Sequence, residues 1–343
     1  MLAITVINEN IVCVNTNRLS KVTYVHIYSI TSLLQGANRP PSWHSKVYYI
    51  LFLGTCQYNL LLTSKLVNVT NNHIQKGENE PQMKKPKLII TDLDGTLLHN
   101  DKTVSEYSVS VFKKCREQGI STAVATARGH TNAEQYISSL NPDILISSGG
   151  ALIKKGKDII YGCFFSREET AEIIGKALAL TNSVCEITVD TADKHYWNYK
   201  QDPHILSPDW GEVIYTDYSD FCEESLKICV QTDNKSIAKA IAESVNDCDC
   251  ARFSDGDWYK YTKSAATKVN AVKITAEKLN ISLEDIAAFG DDFVDIEMLK
   301  ACGIGVAVEN AISEVKEIAD YITDSNENDG VARFIEKTFY LCS

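Results

Sequence analysis

Short apolar runs alternate with amphipathic segments along most of the chain after residue 83. The runs are short enough for buried strands, and the segments between them repeat apolar residues with helical spacing, as at about 292–302 and 310–319. Short buried strands that alternate with helices predict a parallel sheet covered on both faces. The predicted strands are Lys87–Thr91, Ile120–Thr126, Asp143–Ser147, Ile286–Gly290, Gly303–Val308 and Asp320–Thr323.

Three sequences of the form Ser/Thr-x-x-Glu mark predicted helix starts. In this pattern the hydroxyl and the carboxylate each bond a backbone N–H of the first turn. The sequences are Thr103–Glu106, Thr131–Glu134 and Ser166–Glu169. The helix that follows the first of them is expected to end at Gly119, because glycine is common just past a helix C-terminus.

Residues 165–261 have a different pattern. A helical segment is followed by the strand-like runs Cys185–Asp190 and Leu226–Gln231, and then by a predicted helix at about 234–246. Aromatic residues are concentrated here, and we interpret them as domain core more readily than as a wall around a substrate. The clearest examples are Tyr196, Trp197 and Trp258.

These patterns together predict an α/β fold with a second, inserted domain. Residues 83–164 and 262–343 are predicted to form a Rossmann-like core around the parallel sheet. Residues 165–261 are predicted to form an inserted α+β domain. Ligands of such parallel sheets bind beyond the carboxyl ends of the strands.

Residues 1–82 differ in composition from the rest of the chain. They contain ten Asn and no Asp and carry a net charge of +3, whereas the remaining residues carry −14. Three interpretations stay open: a small extra domain, a disordered or partner-binding extension, and an artefact of an overextended reading frame. We favour an artefact or a non-functional extension, because Met83 stands as a natural start just before a strand.

Overall composition excludes several classes of protein. The apolar fraction of 44% and the charged fraction of 23% are those of an ordinary globular chain. A net charge of −11 argues against a nucleic-acid binder held by a broad basic surface. The most apolar window, Val47–Leu62, is too short to span a membrane. Eleven cysteines without a CxxC pair indicate reduced thiols in a cytoplasmic protein.

Four small polar features could converge beyond the strand ends. Two carboxylates two residues apart lie on the same side of an extended chain, so they can hold one hard cation and leave an oxygen free to attack phosphorus. A hydroxyl and an ammonium elsewhere could bind a phosphoryl group. The four features are Asp92-Leu93-Asp94-Gly95-Thr96, then Thr126, then Lys268, and finally Gly290-Asp291-Asp292 with Asp295.

These features resemble the four motifs of the haloacid dehalogenase superfamily. The sequence DLDGTLL, the strand ending in Thr126, Lys268 and the sequence GDDFVDIEML match the motifs in order. The run from Ala301 to Ala332 is similar to the Cof-type phosphatases of that superfamily. The resemblance covers about residue 83 to the C-terminus and leaves out residues 1–82.

Motif spacing indicates where the inserted domain lies. Asp94 and Thr126 are 32 residues apart, whereas Thr126 and Lys268 are 142 residues apart. The longer separation is far more than one β-α-β step needs. An insertion in this slot is the type-2 cap of the superfamily.

The resemblance implies a role for each matching residue. Asp92 matches the nucleophile that takes the phosphoryl group, and Asp94 matches the general acid and base. The implied Mg²⁺ ligands are the carboxylates of Asp92 and Asp291 and the main-chain carbonyl of Asp94. Phosphate binding falls to Leu93, Thr126, Ala127 and Lys268, while Asp292 and Asp295 match residues that hold waters or orient Lys268.

Three positions depart from the usual family pattern. Ala127 and Val269 stand where family members generally have glycine, and Val294 stands where they have an asparagine that contacts the phosphate or the metal shell. Because valine cannot donate a hydrogen bond, we expect a slower phosphatase that keeps its nucleophile, acid, cation and metal ligand.

The expected function is a Mg²⁺-dependent phosphatase of small phosphorylated metabolites, either sugar phosphates or nucleotide-like cofactors, acting through an aspartyl-phosphate. Two alternatives stay open. One is a phosphomutase, and the other is a degenerate member of the superfamily that acts as a ligand-binding or regulatory protein. Neither a nucleic acid nor a membrane is expected as a partner.

Overall fold

The computed structural model describes residues 84–206, 210–253 and 256–339, together with three strands nearer the N-terminus. The chain divides into two compact units, Met1–Pro81 and Gln82–Ser343. In the first unit, the strands form a small antiparallel sheet in the order β1-β2-β3. They are β1 (Leu2–Ile7), β2 (Asn10–Asn15) and β3 (Tyr28–Ser29). The three interpretations of residues 1–82 otherwise lie outside the described residues.

The elements of the second unit follow in three groups along the chain. The first group is β4 (Leu88–Thr91), α1 (Glu106–Glu117), β5 (Ser121–Ala125), α2 (His130–Ile137), β6 (Ile144–Ser147), β7 (Leu152–Lys155) and β8 (Asp158–Gly162). The second group is α3 (Arg167–Leu180), β9 (Ile187–Asp190), β10 (His195–Trp197), α4 (Pro203–Leu206), β11 (Ile214–Tyr215), β12 (Lys227–Gln231), α5 (Lys235–Ala242), β13 (Cys248–Arg252) and β14 (Trp258–Lys263). The third group is α6 (Lys268–Leu279), β15 (Ile286–Gly290), α7 (Ile296–Ala301), β16 (Ile304–Ala307), α8 (Ser313–Ile318), β17 (Tyr321–Ile322) and α9 (Gly330–Phe339).

The first and third groups build one sheet of eight strands, in the order β17-β16-β15-β4-β5-β6-β7-β8. Neighbouring strands from β17 to β6 pair in parallel. Strands β7 and β8, which were not predicted from the sequence, add an antiparallel hairpin at the edge after β6. Strand β4 lies at the centre, and Leu88, Ile89 and Ile90 are fully buried, as expected for a strand covered on both faces. The carboxyl ends of β4, β5 and β15 therefore meet at one edge of the sheet.

The second group builds a separate sheet in the order β11-β10-β9-β12-β14-β13. One face of this sheet packs against α3 and α5, where Val189, Val230 and Tyr261 belong to the same buried cluster as Ile173 and Ile241. The other face carries the alternate residues of the same strands, which are mostly polar. This arrangement is the inserted α+β domain expected from the sequence.

Two of the three predicted helix starts are wrong. Helix α1 begins after Ser105, which accepts a hydrogen bond from the N–H of Ser108 at 2.9 Å, because the hydroxyl of Thr103 is already bonded to Asp101 in the preceding turn. Helix α2 begins after Gly129 without a side-chain cap, so Thr131 lies inside its first turn. The third prediction is confirmed, since Ser166 and Glu169 form the reciprocal cap of α3.

No helix among the described residues is both long enough and apolar enough to cross a bilayer. The eight cysteines of residues 84–206, 210–253 and 256–339 are free thiols. Cys115, Cys185 and Cys302 are buried and pack as small apolar residues, while Cys229 is buried on the polar face of its sheet.

Candidate active site

The loop after β4 brings the first pair of carboxylates to the sheet edge. Asp92 is only 6% exposed, and its N–H donates to the carbonyl of Phe289 on β15 at 3.0 Å. Gly95 then turns the chain with a φ of +78°, and a Cβ at this position would lie 2.5 Å from a carboxylate oxygen of Asp291. Glycine is therefore required both for the turn and for the close approach of Asp291.

Asp291 comes to the same place from the end of β15. The hydroxyl of Thr96 donates to its Oδ1 at 2.6 Å. One oxygen of Asp291 lies within 4.8 Å of oxygens of Asp92 and of Asp295. The structure thus brings together the two carboxylates that the sequence proposed as metal ligands, from strands that are neighbours in the sheet.

Lys268, the first residue of α6, is the cation of this cluster. Its ammonium is ion-paired with Asp92, and it donates to Oδ1 of Asp295 at 2.7 Å. All three side chains are buried. The N-terminus of α6 is fixed by Thr267, whose hydroxyl accepts from the N–H of Asn270, so the sequence places Lys268 where its side chain reaches the strand ends.

Three carboxylates share one ammonium in this cluster, which leaves an excess of negative charge. Burial raises the pKa of Asp92 well above its usual value, and the charges of Asp295 and Asp291 act in the same direction. Burial raises the pKa of Asp291 to about 6, although the bond from Thr96 opposes the shift. Burial alone would lower the pKa of Lys268, but Asp295 and Asp92 outweigh it and raise the pKa above its ordinary value.

The cluster fits a divalent cation that prefers oxygen ligands. Crowded carboxylates with raised pKa values need a positive charge close by, and Mg²⁺ takes carboxylate and carbonyl oxygens together with waters. Both oxygens of Asp295 are already used, one by Lys268 and the other by the N–H groups of Asp291 and Asp292 at 3.1 and 3.2 Å. Asp92 and Asp291 are therefore the carboxylates left to hold the ion, and Asp295 orients Lys268.

Asp94 is placed differently from what a general acid requires. Arg128 holds it with two bonds of 2.7 Å, and Lys102 adds a third of 2.9 Å. Burial would raise the pKa of Asp94, but these cations outweigh it and hold the pKa below its usual range. As it stands, Asp94 is a carboxylate that can take up a proton only after these bonds loosen.

Arg128 lies at the site, although it was not predicted from the sequence as a site residue. It lies two residues beyond Thr126, and its guanidinium also stacks over the ring of Tyr136 at 4.3 Å. The sequence feature that could have identified it is its place, two residues after the strand that ends in Thr126. Its pairing with Asp94, 34 residues earlier, depends on the path of two loops and could not be derived from spacing.

The proposed phosphate-binding groups lie along the same edge. Thr126 is buried at the end of β5, and its Oγ1 accepts from the N–H of Arg128 at 3.1 Å, which leaves the hydroxyl proton available. Within the described part of the chain, no acceptor takes the N–H of Leu93 or of Ala127. These two N–H groups can therefore donate to a bound anion.

Asp292 and Val294, the two remaining positions named from the sequence, are both exposed. Asp292 is exposed and accepts from the N–H of Phe293 at 2.7 Å, so it caps its own turn and does not contact Lys268. The predicted orienting role therefore falls to Asp295 rather than to Asp292. Val294 is 49% exposed, in the turn that carries Asp295 into the cluster.

The aromatic residues of the cap divide between its two faces. Tyr196, Tyr259 and Tyr261 are buried on the side of α3 and α5, as the interpretation as domain core predicts. Trp197 and Trp258 lie on the opposite face, only partly buried, with ring centroids 5.9 Å apart. Part of the aromatic set is therefore available to a bound molecule.

Comparison with known proteins gives consistent results. The model of the haloacid dehalogenase-like hydrolase family matches residues 89–335. The 5-amino-6-(5-phospho-D-ribitylamino)uracil phosphatase YitU of Bacillus subtilis is 27% identical over 269 residues, which are 75% of this chain and 99% of that protein. Two similar structures are a haloacid dehalogenase-like hydrolase from Bacteroides thetaiotaomicron (TM-score 0.66, 23% identity, 74% of this chain and 99% of that one) and the HAD subclass IIB sugar phosphatase BT4131 (TM-score 0.62, 21% identity, 75% and 100%). These structures confirm the predicted core with its inserted cap.

Proposed function

Since the chain belongs to the haloacid dehalogenase-like hydrolases, the family that its motifs resemble, we propose that it is a Mg²⁺-dependent phosphatase of small phosphorylated metabolites. The observation that carries the proposal is the buried cluster in which Asp92 is ion-paired with Lys268 and lies next to Asp291. A buried carboxylate beside a cation and a metal-binding partner is what an anionic nucleophile needs in order to approach an anionic phosphate.

In the proposed first step, an oxygen of Asp92 attacks phosphorus and the bond between phosphorus and the leaving oxygen breaks. Lys268, the hydroxyl of Thr126 and the N–H groups of Leu93 and Ala127 bind the phosphoryl oxygens. Asp94 gives a proton to the leaving oxygen. In the second step Asp94 takes a proton from water, which attacks phosphorus, and phosphate leaves with Asp92 restored.

Asp94 can serve as the acid only if its pairing with Arg128 and Lys102 weakens. We infer that the entering phosphate supplies this change, because an anion bound next to Thr126 competes for the guanidinium of Arg128 two residues away. The competition would raise the pKa of Asp94 while substrate is bound. Arg128 is in this proposal a positioning residue for Asp94.

The carboxylates of Asp92 and Asp291 and the main-chain carbonyl of Asp94 would hold Mg²⁺, with Asp295 fixing the backbone of the Asp291 loop. When bound, the ion neutralises charge on the phosphate and on the two carboxylates. We further infer that residues 165–261 act as the cap that covers the site and reads the part of the substrate beyond the phosphate. A cytoplasmic location stays a prediction.

For the substrate we propose a sugar phosphate or a nucleotide-like phosphate ester. YitU acts on a phosphorylated ribityl chain attached to a uracil ring, and BT4131 is a sugar phosphatase, so both classes occur among similar proteins. The partly exposed Trp197 and Trp258 of the cap offer flat surfaces that suit a ring.

The test is release of inorganic phosphate by the full chain from a panel of sugar phosphates, nucleotides and 5-amino-6-(5-phospho-D-ribitylamino)uracil, with Mg²⁺ and with EDTA. We expect Mg²⁺-dependent turnover that falls by at least about a thousandfold in Asp92→Asn. The matched control is Asp101→Asn, an exposed carboxylate of the same loop. Isomerised sugar phosphate as the product would instead support the phosphomutase, and ligand binding without turnover the degenerate member.

A further inference from the structure

The polar face of the cap sheet lies over the active site. Lys227 on β12 donates from its ammonium to the carbonyl of Ala127 at 3.1 Å. On the neighbouring strand β9, the carboxylate of Asp190 packs against Gly129 so closely that a Cβ there would lie 2.7 Å from it. Both contacts fall in the loop after β5, which also carries Thr126 and Arg128.

Lys260 lies on this same face. It pairs with Cys229 across β12 and β14, and Cys229 is two residues from Lys227. Because alternate residues of a strand point to opposite faces, Lys227, Cys229 and Lys260 share the face that Tyr259 and Tyr261 do not. Lys260 therefore projects from the cap on the side that meets the core.

Five cations among the described residues lie around the site, and four of them have carboxylate partners. Arg128 and Lys102 are paired with Asp94, Lys268 with Asp92 and Asp295, and Lys227 with Asp190 at 2.8 Å. Lys260 has no hydrogen-bond acceptor or ion-pair partner among the residues that the structure describes. Of these five cations, it is the one without a hydrogen-bonded carboxylate partner.

The surroundings of Lys260 make this lack of a partner unfavourable. The side chain is partly buried, and burial lowers its pKa, with the positive charges of Lys227 and Lys268 adding to the effect. Lys260 is therefore within electrostatic reach of the lysine that binds Asp92. Cys229 and Asp249 act in the opposite direction but do not outweigh these effects. A partly buried cation without a carboxylate partner favours the approach of an anion.

We propose that Lys260 is a specificity-determining residue that binds a second anionic group on the substrate, a carboxylate or a second phosphate carried by the leaving group. This inference rests on the proposed phosphatase function. The phosphoryl group that reacts already has Lys268, Thr126 and two N–H groups, whereas Lys260 approaches from the cap, the domain that covers the leaving group. Preferred substrates are therefore phosphate esters with an acidic group elsewhere in the molecule.

The test compares matched esters in Lys260→Met and in the wild-type chain. One pair is 6-phosphogluconate and glucose 6-phosphate, which differ in a carboxylate, and the other is fructose 1,6-bisphosphate and fructose 6-phosphate, which differ in a second phosphate. We expect the ratio of kcat/KM between acidic and neutral partner to fall by about 10- to 100-fold in Lys260→Met, chiefly through KM. Lys260→Arg should keep most of the ratio, and the exposed Lys235→Met of α5 should leave it unchanged. The pair that responds identifies the acidic group.

Equal losses on both members of each pair would overturn the proposal and assign Lys260 to the reacting phosphate or to cap stability. An unchanged ratio in Lys260→Met would overturn it as well. If the wild-type chain hydrolyses none of these four esters, the wider panel above still tests the proposed phosphatase function separately. In that case, calorimetric titration with 6-phosphogluconate and with glucose 6-phosphate tests the role of Lys260. Tighter binding of 6-phosphogluconate in the wild-type chain that is lost in Lys260→Met supports this role. Equal binding of the two esters contradicts it.

Discussion

Replacing Lys268 by methionine should destabilise the protein in a way that depends on pH. The substitution keeps the length of the side chain but leaves Asp92 and Asp295, which are 6% and 0% exposed, without a compensating charge. Removing one partner of a buried ion pair costs about 3–5 kcal/mol. We expect a loss of this size in the free energy of unfolding at pH 7.5.

The pH dependence follows from protonation of the remaining carboxylates. Burial already raises the pKa of Asp92, and loss of Lys268 removes the charge that opposes this shift. A raised carboxylate pKa means that the folded protein binds more protons than the unfolded chain between the unfolded pKa, about 4, and the folded one. Stability is therefore lost as pH rises through that window, and the effect of Lys268→Met should be smaller at pH 5 than at pH 7.5.

The assay is urea unfolding of both proteins, followed by tryptophan fluorescence at the two pH values, with and without Mg²⁺. Mg²⁺ should recover part of the loss at pH 7.5, since it binds the same carboxylates. The control is Lys273→Met, an exposed lysine of the same helix, which should change stability by less than about 0.5 kcal/mol at either pH. A loss in Lys268→Met that is equally small, or that does not vary with pH, would refute the charge balance described here.

Three further changes follow from the structure. Arg128→Met should raise the pKa of Asp94, so the alkaline limb of the kcat profile should move to higher pH; a lower rate with an unmoved limb would contradict the positioning role. Burial lowers the pKa of His130, and so does the charge of Lys154, whose ammonium donates to the Nε2 of His130 at 2.7 Å. The stability that neutral His130 contributes is therefore present above about pH 6.5, the pKa of the unfolded chain, and is lost as pH falls below it. His130→Gln should therefore lose less stability than the wild-type chain between pH 7.5 and pH 5 in thermal unfolding, and an identical loss would count against this. Val294→Asn adds a donor in the turn that carries Asp295 and should raise kcat/KM or phosphate affinity in the phosphate-release assay; no change in either would show that the position is too far from the phosphate.

The convergence of Asp92 and Asp291 could be predicted because it depends on strand order alone. Both residues follow buried runs, and neighbouring parallel strands bring their carboxyl ends to one edge. Lys268 could be placed for a similar reason, since it opens a helix next to that edge. The resemblance of motifs then supplied roles that geometry by itself does not assign.

Other features depend on the paths of loops, which the pattern of apolar and polar residues does not predict. The bonds between Arg128 and Asp94 join two loops, and the start of α2 is set at Gly129, where Asp190 of the cap packs against the chain. The start of α1 at Ser105 rather than Thr103 reflects a competing bond within the preceding turn. The hairpin of β7 and β8 had an available signal in Gly156, which has a φ of +58° between two apolar runs.

The cap face illustrates a further limit. Lys227 and Lys260 are 33 residues apart, and only the antiparallel pairing of β12 with β14 brings them to one surface. The contact of Lys227 with Ala127 depends in turn on how the cap lies on the core. The sequence shows that both residues are lysines, but only the structure shows that their side chains lie on the face of the cap that meets the core.

The most direct test of the central claim is to trap the phosphorylated enzyme. The full chain, quenched in acid during turnover with Mg²⁺, is reduced with borohydride, digested, and the peptide Leu88–Lys102 is sequenced by mass spectrometry. Reduction of an acyl phosphate at Asp92 leaves homoserine at that position, and we predict this product in the wild-type chain, with none in Asp92→Asn. Steady turnover with an unmodified Asp92, or with the phosphoryl group on another residue, would contradict the account.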